Sequence, residues 1–322
     1  MSRNTCNCWR IWTRSRPLAR PSRAFGFAKW NSQFLPNVSP CVNSRCRGPQ
    51  TFRRFPNGSS IAGGRPQGPV VRGRTNCYLR AVKISIVVPA FNEEKFLGET
   101  LGQIKSAASV FANIGWETEL IVCDNHSTDR TAEIARAAGA TVVFEPVNQI
   151  SRARNAGAAA ASGDWLVFVD ADSRPSEALM REVAGEIQSG KCLAGGATVR
   201  WDERHFLFDL LTPMVNVGFR WRRLLVGAFM FVETAAFQKL GGFSLEAWGG
   251  EDLEISRRLK KLARETGKQF VILRQHPIVT SGRKLKQLTI FTPFRMAWHI
   301  LFHPHRFTAS REAARYWYDV RR

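Results

Sequence analysis

The chain has 322 residues and a formal net charge of +21, yet 15 of its 47 Lys and Arg lie in residues 1–80, which contain no Asp or Glu. Beyond residue 80 there are 32 basic against 26 acidic residues, so only the tail carries the charge expected of a nucleic-acid or anionic-surface binder. No run of about 18 apolar residues occurs and residues 1–30 lack an apolar leader core, which excludes a spanning helix and a secretory signal of the usual kind.

Residues 1–80 scatter Arg, Pro, Gly, Ser and Asn among isolated Trp and Phe without helical or strand periodicity. Such a segment cannot bury enough surface to order itself, so it reads as a disordered basic tail. Three explanations stand for it: an Arg- and Ser-rich presequence, a basic interaction arm, or upstream sequence translated from a start placed too early, the true one lying near Val82. Composition favours the last. Five cysteines (Cys6, Cys8, Cys41, Cys46, Cys77) lie in this tail at spacings that suit neither zinc nor a disulfide framework. Cys123 and Cys192 read as small core residues of a reducing, cytoplasmic compartment.

From Val82 the pattern changes. Lys83–Pro89 (KISIVVP) is a buried strand, and Leu97, Leu101, Ile104, Ala108 and Phe111 hold one helical face for four turns. Glu119–Cys123 is a second strand, Asp129–Ala138 a short helix, and Thr141–Phe144 a third strand. Ser151–Ala161 is an Ala-rich helix, Trp165–Val169 a fourth strand, and Gly227–Val232 a further one. Continuous apolar strands alternating with helices predict an α/β fold with a mostly parallel central sheet covered on both faces. Ligands in such sheets sit beyond the carboxyl ends of the strands.

Those ends are acidic. Pro89-Ala-Phe-Asn-Glu-Glu94 follows the first strand where a dinucleotide fold would carry G-x-G-x-x-G, which argues against a nicotinamide or flavin enzyme. Asn92 also suits a helix N-cap, with Glu93 and Glu94 favoured in the first turn. The second strand ends at Asp124, an acid that no cap requires. The fourth ends in Asp170-Ala-Asp172, two carboxylates that are costly at a buried strand end unless a cation or donors satisfy them. Mg2+ or Mn2+ takes such oxygen ligands together with phosphate oxygens. Gly249-Gly-Glu-Asp252 opens a helix, and Glu251 or Asp252 there could serve as a base on an attacking hydroxyl.

Taken together, VVPAFNEE, VCDNHSTD, FVDAD and GGED in this order resemble the family 2 glycosyltransferases of the GT-A (nucleotide-diphospho-sugar transferase) fold, over about residues 83–275. The resemblance implies that Pro89, Ala90, Asn92 and Glu93 hold the base and ribose of a nucleoside diphosphate sugar, UDP- or GDP-linked, with Asp124 reading the base. It implies Asp170 near the ribose, Asp172 on the metal, Asp252 as general base and Glu251 placing a sugar. Arg154 and Asn155 in SRARNAG match a segment whose basic residue lies near the phosphates, with Arg152 an equal candidate for that residue, and His276 is a candidate to complete the metal shell, against a solvated turn before Pro277. Asn125 stands where many members have a second Asp. No Q-x-x-R-W follows the GGED helix, so the resemblance points to a single-addition, inverting enzyme rather than a processive synthase.

The expected division is therefore a tail over 1–80, a catalytic domain over 81–282 and an amphipathic helical segment over 283–322. His205–Arg223 falls where acceptor-shaping elements belong. Ile290–Phe302, ringed by Arg283, Lys284, Lys286, Arg295 and Arg306, suits either an interfacial helix on a membrane's inner face or a helix packed on the domain. The acceptor is unidentified, with lipid-linked and cell-envelope glycans the leading classes. Rival readings are a nucleotidyltransferase of related fold, disfavoured by the acidic PAFNEE loop, and a nucleic-acid binder acting through the tail.

Overall fold

In a computed structural model of the protein, residues 81–202, 213, 216, 217, 224, 225, 227–246 and 249–283 are described. The tail 1–80, nearly all of 205–223 and the stretch 290–302 lie outside them. The chain divides into two units, Met1–Gly73 and Arg74–Arg322, and every described residue belongs to the second.

Among the described residues eight strands form one sheet: β1 (Lys83–Ala90), β2 (Glu117–Asp124), β3 (Thr141–Phe144), β4 (Trp165–Val169), β5 (Ser173–Arg174), β6 (Cys192–Trp201), β7 (Phe229–Glu233) and β8 (Gln269–Thr280). Their order across it is β3-β2-β1-β4-β7-β6-β8-β5. The first four are mutually parallel, as expected. Beyond β4 the rule changes: β7 runs antiparallel to both β4 and β6, and only β6 with β8 restores a parallel pair. The chain order reverses between β1 and β4, and the crevice at such a switch point is where a ligand is accommodated.

Helices α1 (Leu97–Ala112) and α4 (Glu177–Gln188) cover one face, while α3 (Ile150–Ala159), α5 (Thr234–Lys239) and α6 (Glu251–Glu265) cover the other; α2 (Thr131–Ala137) packs near the β3 edge. The strand period explains the two cores. Ile84, Ile86 and Val88 point to the α1 side with Leu101, Ile104 and Phe111, whereas Val87 points to the α6 side with Ile255 and Leu259. Cys123 and Cys192 are buried, and burial pushes both thiols up to about 12, which suits small core residues. No helix among the described residues is long and apolar enough to cross a membrane.

Gly195 of β6 shows how closely the strands beyond β7 are fitted. A Cβ there would lie 2.6 Å from Phe231 Cζ and 2.7 Å from the Val271 carbonyl oxygen. Backbone on the β8 side cannot swing away as a side chain can. Gly195→Ala is expected to lower unfolding stability by about 1–3 kcal/mol through overpacking, read as a lower urea midpoint at unchanged slope.

Candidate active site

The site is built where β1, β2 and β4 end together. The β1–β2 register pairs Ala90 with Asp124, so the two following loops start level and are stitched to each other. Asn125 N–H donates to the Ala90 carbonyl at 2.8 Å, Asn92 N–H to Ser127 Oγ at 3.0 Å, and Ser127 N–H to Asp124 Oδ1 at 3.0 Å. Asn92 does not cap α1. Its φ is +50°, in the left-handed region, and its Oδ1 accepts the Thr128 N–H at 2.8 Å. The cap position is Phe96, with no side-chain capping bond. Asn125 is buried; it donates to Asn148 Oδ1 at 3.0 Å and accepts the Gln149 N–H at 3.2 Å, so the Asn at this position pins the loop before α3.

Arg154 is the hub of the acidic cluster. Projected from α3 and only 2% exposed, it donates to Glu251 Oε1 at 2.8 Å, to Asp170 Oδ1 at 2.9 Å and to the Gly227 carbonyl at 2.9 Å. Its Nε is buried without a hydrogen-bond partner, and its guanidinium lies 5.3 Å from the Phe243 ring centre. Burial opposes its charge, but Asp170, then Glu251 and Asp252, outweigh that and hold its pKa above the ordinary value. Expected on the donor phosphates, Arg154 instead spends its charge on this protein's own carboxylates.

Glu251 and Asp252 begin α6 just after Gly250, whose φ of +69° is a left-handed turn. The Asp252 carboxylate accepts the Leu253 N–H at 2.9 Å and faces a small hollow lined by Arg154, Phe168, Leu225, Gly227, Met230 and Phe243. Burial first, then the neighbouring Glu251, pushes the Asp252 pKa up to about 7; Arg154 and the N–H groups of Leu253 and Gly227 hold it from rising further. A carboxylate balanced near neutrality is suited to taking up a proton and releasing it.

Asp172 is reached from the other side. Ser281 N–H donates to its backbone carbonyl at 3.1 Å, and β5 pairs Ser173 with Thr280, so the end of β8 is brought alongside the D-x-D turn. Arg283 follows. Its Nη2 donates to Glu93 Oε1 at 2.6 Å and Oε2 at 2.5 Å, lies 3.5 Å from Asp172 Oδ2, and its guanidinium sits 4.6 Å from the Phe96 ring centre. Glu93, expected on the donor, is thus ion-paired and 3% exposed. Sequence reasoning assigned Arg283 to the basic rim of the C-terminal segment and missed this role, because Glu93 is 190 positions away.

His276 does not join the cluster. The β6–β8 register jumps from Ala197–Leu273 to Val199–Ile278, as expected where Pro277 cannot donate to the ladder, and the His276 Nδ1 in that irregularity is engaged by Glu182 of α4. His276, a candidate metal ligand, has its contact with a carboxylate of α4 instead of one in the cluster. Among the described residues no group of three or more His, Cys, Asp and Glu converges as a cation cage. Pro89 and Ala90 are buried within β1. The remaining site residues form one continuous run: Asp124 to Asn92 through the Ser127–Thr128 loop, Glu93 through Arg283 to Asp172, and Asp170 through Arg154 to Glu251 beside Asp252.

A family model described as Glycosyl transferase family 2 matches residues 85–239. An uncharacterized protein of Methanocaldococcus jannaschii is 28% identical over 229 residues, covering 67% of this chain and 84% of that protein. A probable glycosyltransferase of Bacillus subtilis, YdaM, is 28% identical over 204 residues, 56% of this chain and 47% of the relative; the chain thus spans about half of its length. Among solved structures, residues 1–349 of S. aureus TarS superpose with a TM-score of 0.51 at 19% identity, covering 73% of this chain and 77% of that one. The mannosyltransferase PcManGT from Pyrobaculum calidifontis, solved with GDP-Man and Mn2+, gives 0.52 at 19% identity, covering 74% and 65%. At that identity the two structural likenesses speak to the fold.

Proposed function

We propose that the chain, whose residues 85–239 match a glycosyl transferase family 2 model and which has the GT-A fold, is a glycosyltransferase that moves one sugar, with inversion, from a nucleoside diphosphate donor to an acceptor hydroxyl. The observation that carries this reading is Asp252: a carboxylate at a helix start, with a pKa raised to about 7, next to Glu251, which Arg154 ties to the strand-end acid Asp170.

Residue roles follow from chemistry at each position. Asp252 accepts the proton of the acceptor hydroxyl while the acceptor oxygen bonds to the anomeric carbon; the bond from that carbon to the diphosphate oxygen breaks, and its electron pair leaves with the nucleoside diphosphate. Glu251, fixed by Arg154, keeps the start of α6 in place. Asp124, at the end of β2, contacts the base, and Asp170 the ribose. A divalent cation, Mn2+ or Mg2+, fits the hard oxygen donors at Asp172, whose carboxylate already lies against a guanidinium cation. When bound it neutralises charge on the departing diphosphate. Mannosyltransferase PcManGT, which shares the fold, was solved with GDP-Man and Mn2+, and that supports the choice of donor class and metal. The contact of Arg283 with Glu93 supports extending the proposed domain from residue 81 past 282 to include Arg283.

Thermal-shift titration of UDP and GDP with and without Mn2+, followed by hydrolysis of the matching sugar donors, tests the reading. Stabilisation by neither nucleotide would remove it. Asp172→Ala is expected to abolish the Mn2+-dependent part of the shift while leaving the metal-free melting temperature within a few degrees; an unchanged shift takes Asp172 off the metal.

A further inference from the structure

One cation in the cluster has no part in the roles above. Arg283 is delivered by the end of β8, whose course is fixed by the Ser173–Thr280 pairing, by Ser281 N–H on the Asp172 carbonyl at 3.1 Å and by Gly282 N–H on Asp202 Oδ1 at 2.9 Å. Its guanidinium is held on three sides: by both oxygens of Glu93, by the Phe96 ring and by the Asp172 carboxylate. Glu93 and Asp172 are 3% and 7% exposed, Arg283 25%. Two nearly buried carboxylates therefore share one cation that solvent, and a ligand, can still reach.

That arrangement has a consequence for charge. A divalent cation approaching Asp172 alone meets a guanidinium already 3.5 Å from Oδ2, and repulsion at such a range is strong where water is largely excluded. A diphosphate reverses the balance, since its oxygens attract both cations at once and a guanidinium matches them with a planar fork of donors. We propose that Arg283 couples cation binding to nucleoside diphosphate binding: it guards Asp172 while the site is empty and turns to the diphosphate when metal and nucleotide arrive together. The coupling rests on the reading of the site as one for a nucleoside diphosphate. Glu93 is then a positioning residue, keeping Arg283 at the entrance to Asp172 rather than touching the donor.

Coupling of this kind is reciprocal, so it can be measured from either ligand. The experiment uses the full chain. Free Mn2+ is followed by electron paramagnetic resonance as protein is titrated, with and without UDP or GDP, correcting for the Mn2+–nucleotide complex in solution. Wild-type protein is compared with Arg283→Gln, which keeps an amide donor for Glu93, and with the double variant Glu93→Gln/Arg283→Met, which removes the Glu93 charge together with its partner and leaves Asp172 for the metal. Both variants are expected to bind Mn2+ alone about tenfold tighter than wild type. The factor by which nucleotide tightens Mn2+ is expected to fall at least tenfold. A residue that merely propped the loop would weaken both ligands without raising affinity for Mn2+ alone. Unchanged or weaker Mn2+ binding in folded variants overturns the coupling and leaves the nucleotide site standing. A wild type that binds neither UDP nor GDP at any Mn2+ concentration overturns the nucleotide site and the coupling with it.

Discussion

Asp252→Asn is expected to keep Mn2+-dependent nucleotide binding within about threefold of wild type and to lose turnover by about 10²–10⁴-fold, the range general-base catalysis supplies. Asn is nearly isosteric and its Oδ1 can still accept the Leu253 N–H that Asp252 holds at 2.9 Å, so the start of α6 survives while the proton acceptor does not. The wild-type pH profile follows from the same residue. Burial and Glu251 raise the Asp252 pKa to about 7, so the carboxyl is neutral and inactive as a base below that pH. Activity should rise tenfold per pH unit up to about 7 and level off above it, with nucleotide binding flat across the range. Full turnover in Asp252→Asn, or a profile with no acid limb near 7, would transfer the base role to another group.

How far the site could be read from the chain depended on what kind of contact made each part. Strands β3 and β4 fall where expected, at Thr141–Phe144 and Trp165–Val169; β4 is legible because a strand buried on both faces has no polar residues inside it, whereas β3, at the sheet edge, is marked by its β-branched and aromatic residues. Asp124 and Asp170 were legible because an acid closing such a run is conspicuous. β6 and β8 were not: Gly195-Gly196 reads as a turn, and Arg274, His276 and Pro277 break the apolar pattern of β8. In the fold those glycines are needed for close strand packing, and the Pro sits at a register shift. Helix α2 starts at Thr131, two residues later than its expected start at Asp129, whose carboxylate accepts the Thr131 N–H at 3.0 Å. Most informative are Glu93 and Arg154. Both sit in motifs that point to a ligand, yet their charges are absorbed by partners 190 and 97 residues away, Arg283 and Glu251. Only three-dimensional proximity reveals whether a motif's charge faces outward or is already answered.

Arg154→Met should therefore damage stability and catalysis by separate routes. Removing the guanidinium leaves Glu251, 10% exposed, and Asp170, 25% exposed, without their shared counter-charge. Breaking a buried ion pair costs about 3–5 kcal/mol, and the partial exposure of Asp170 argues for the lower end, about 3 kcal/mol, read from urea unfolding at pH 7. Most of that loss is the uncompensated charge rather than the packing, so Arg154→Met/Glu251→Gln should recover part of it. Catalysis shifts independently. Arg154 is the largest influence holding the Asp252 pKa down; without it the acid limb moves to higher pH, and activity lost at pH 7 returns as the pH is raised toward 9. Arg154→Lys keeps the charge but cannot fork between Asp170 and Glu251, so it should retain the wild-type limb while losing stability. If Arg154→Met were to unfold as wild type does and keep its acid limb near 7, the buried guanidinium would be neither the clamp nor the electrostatic neighbour that its contacts describe.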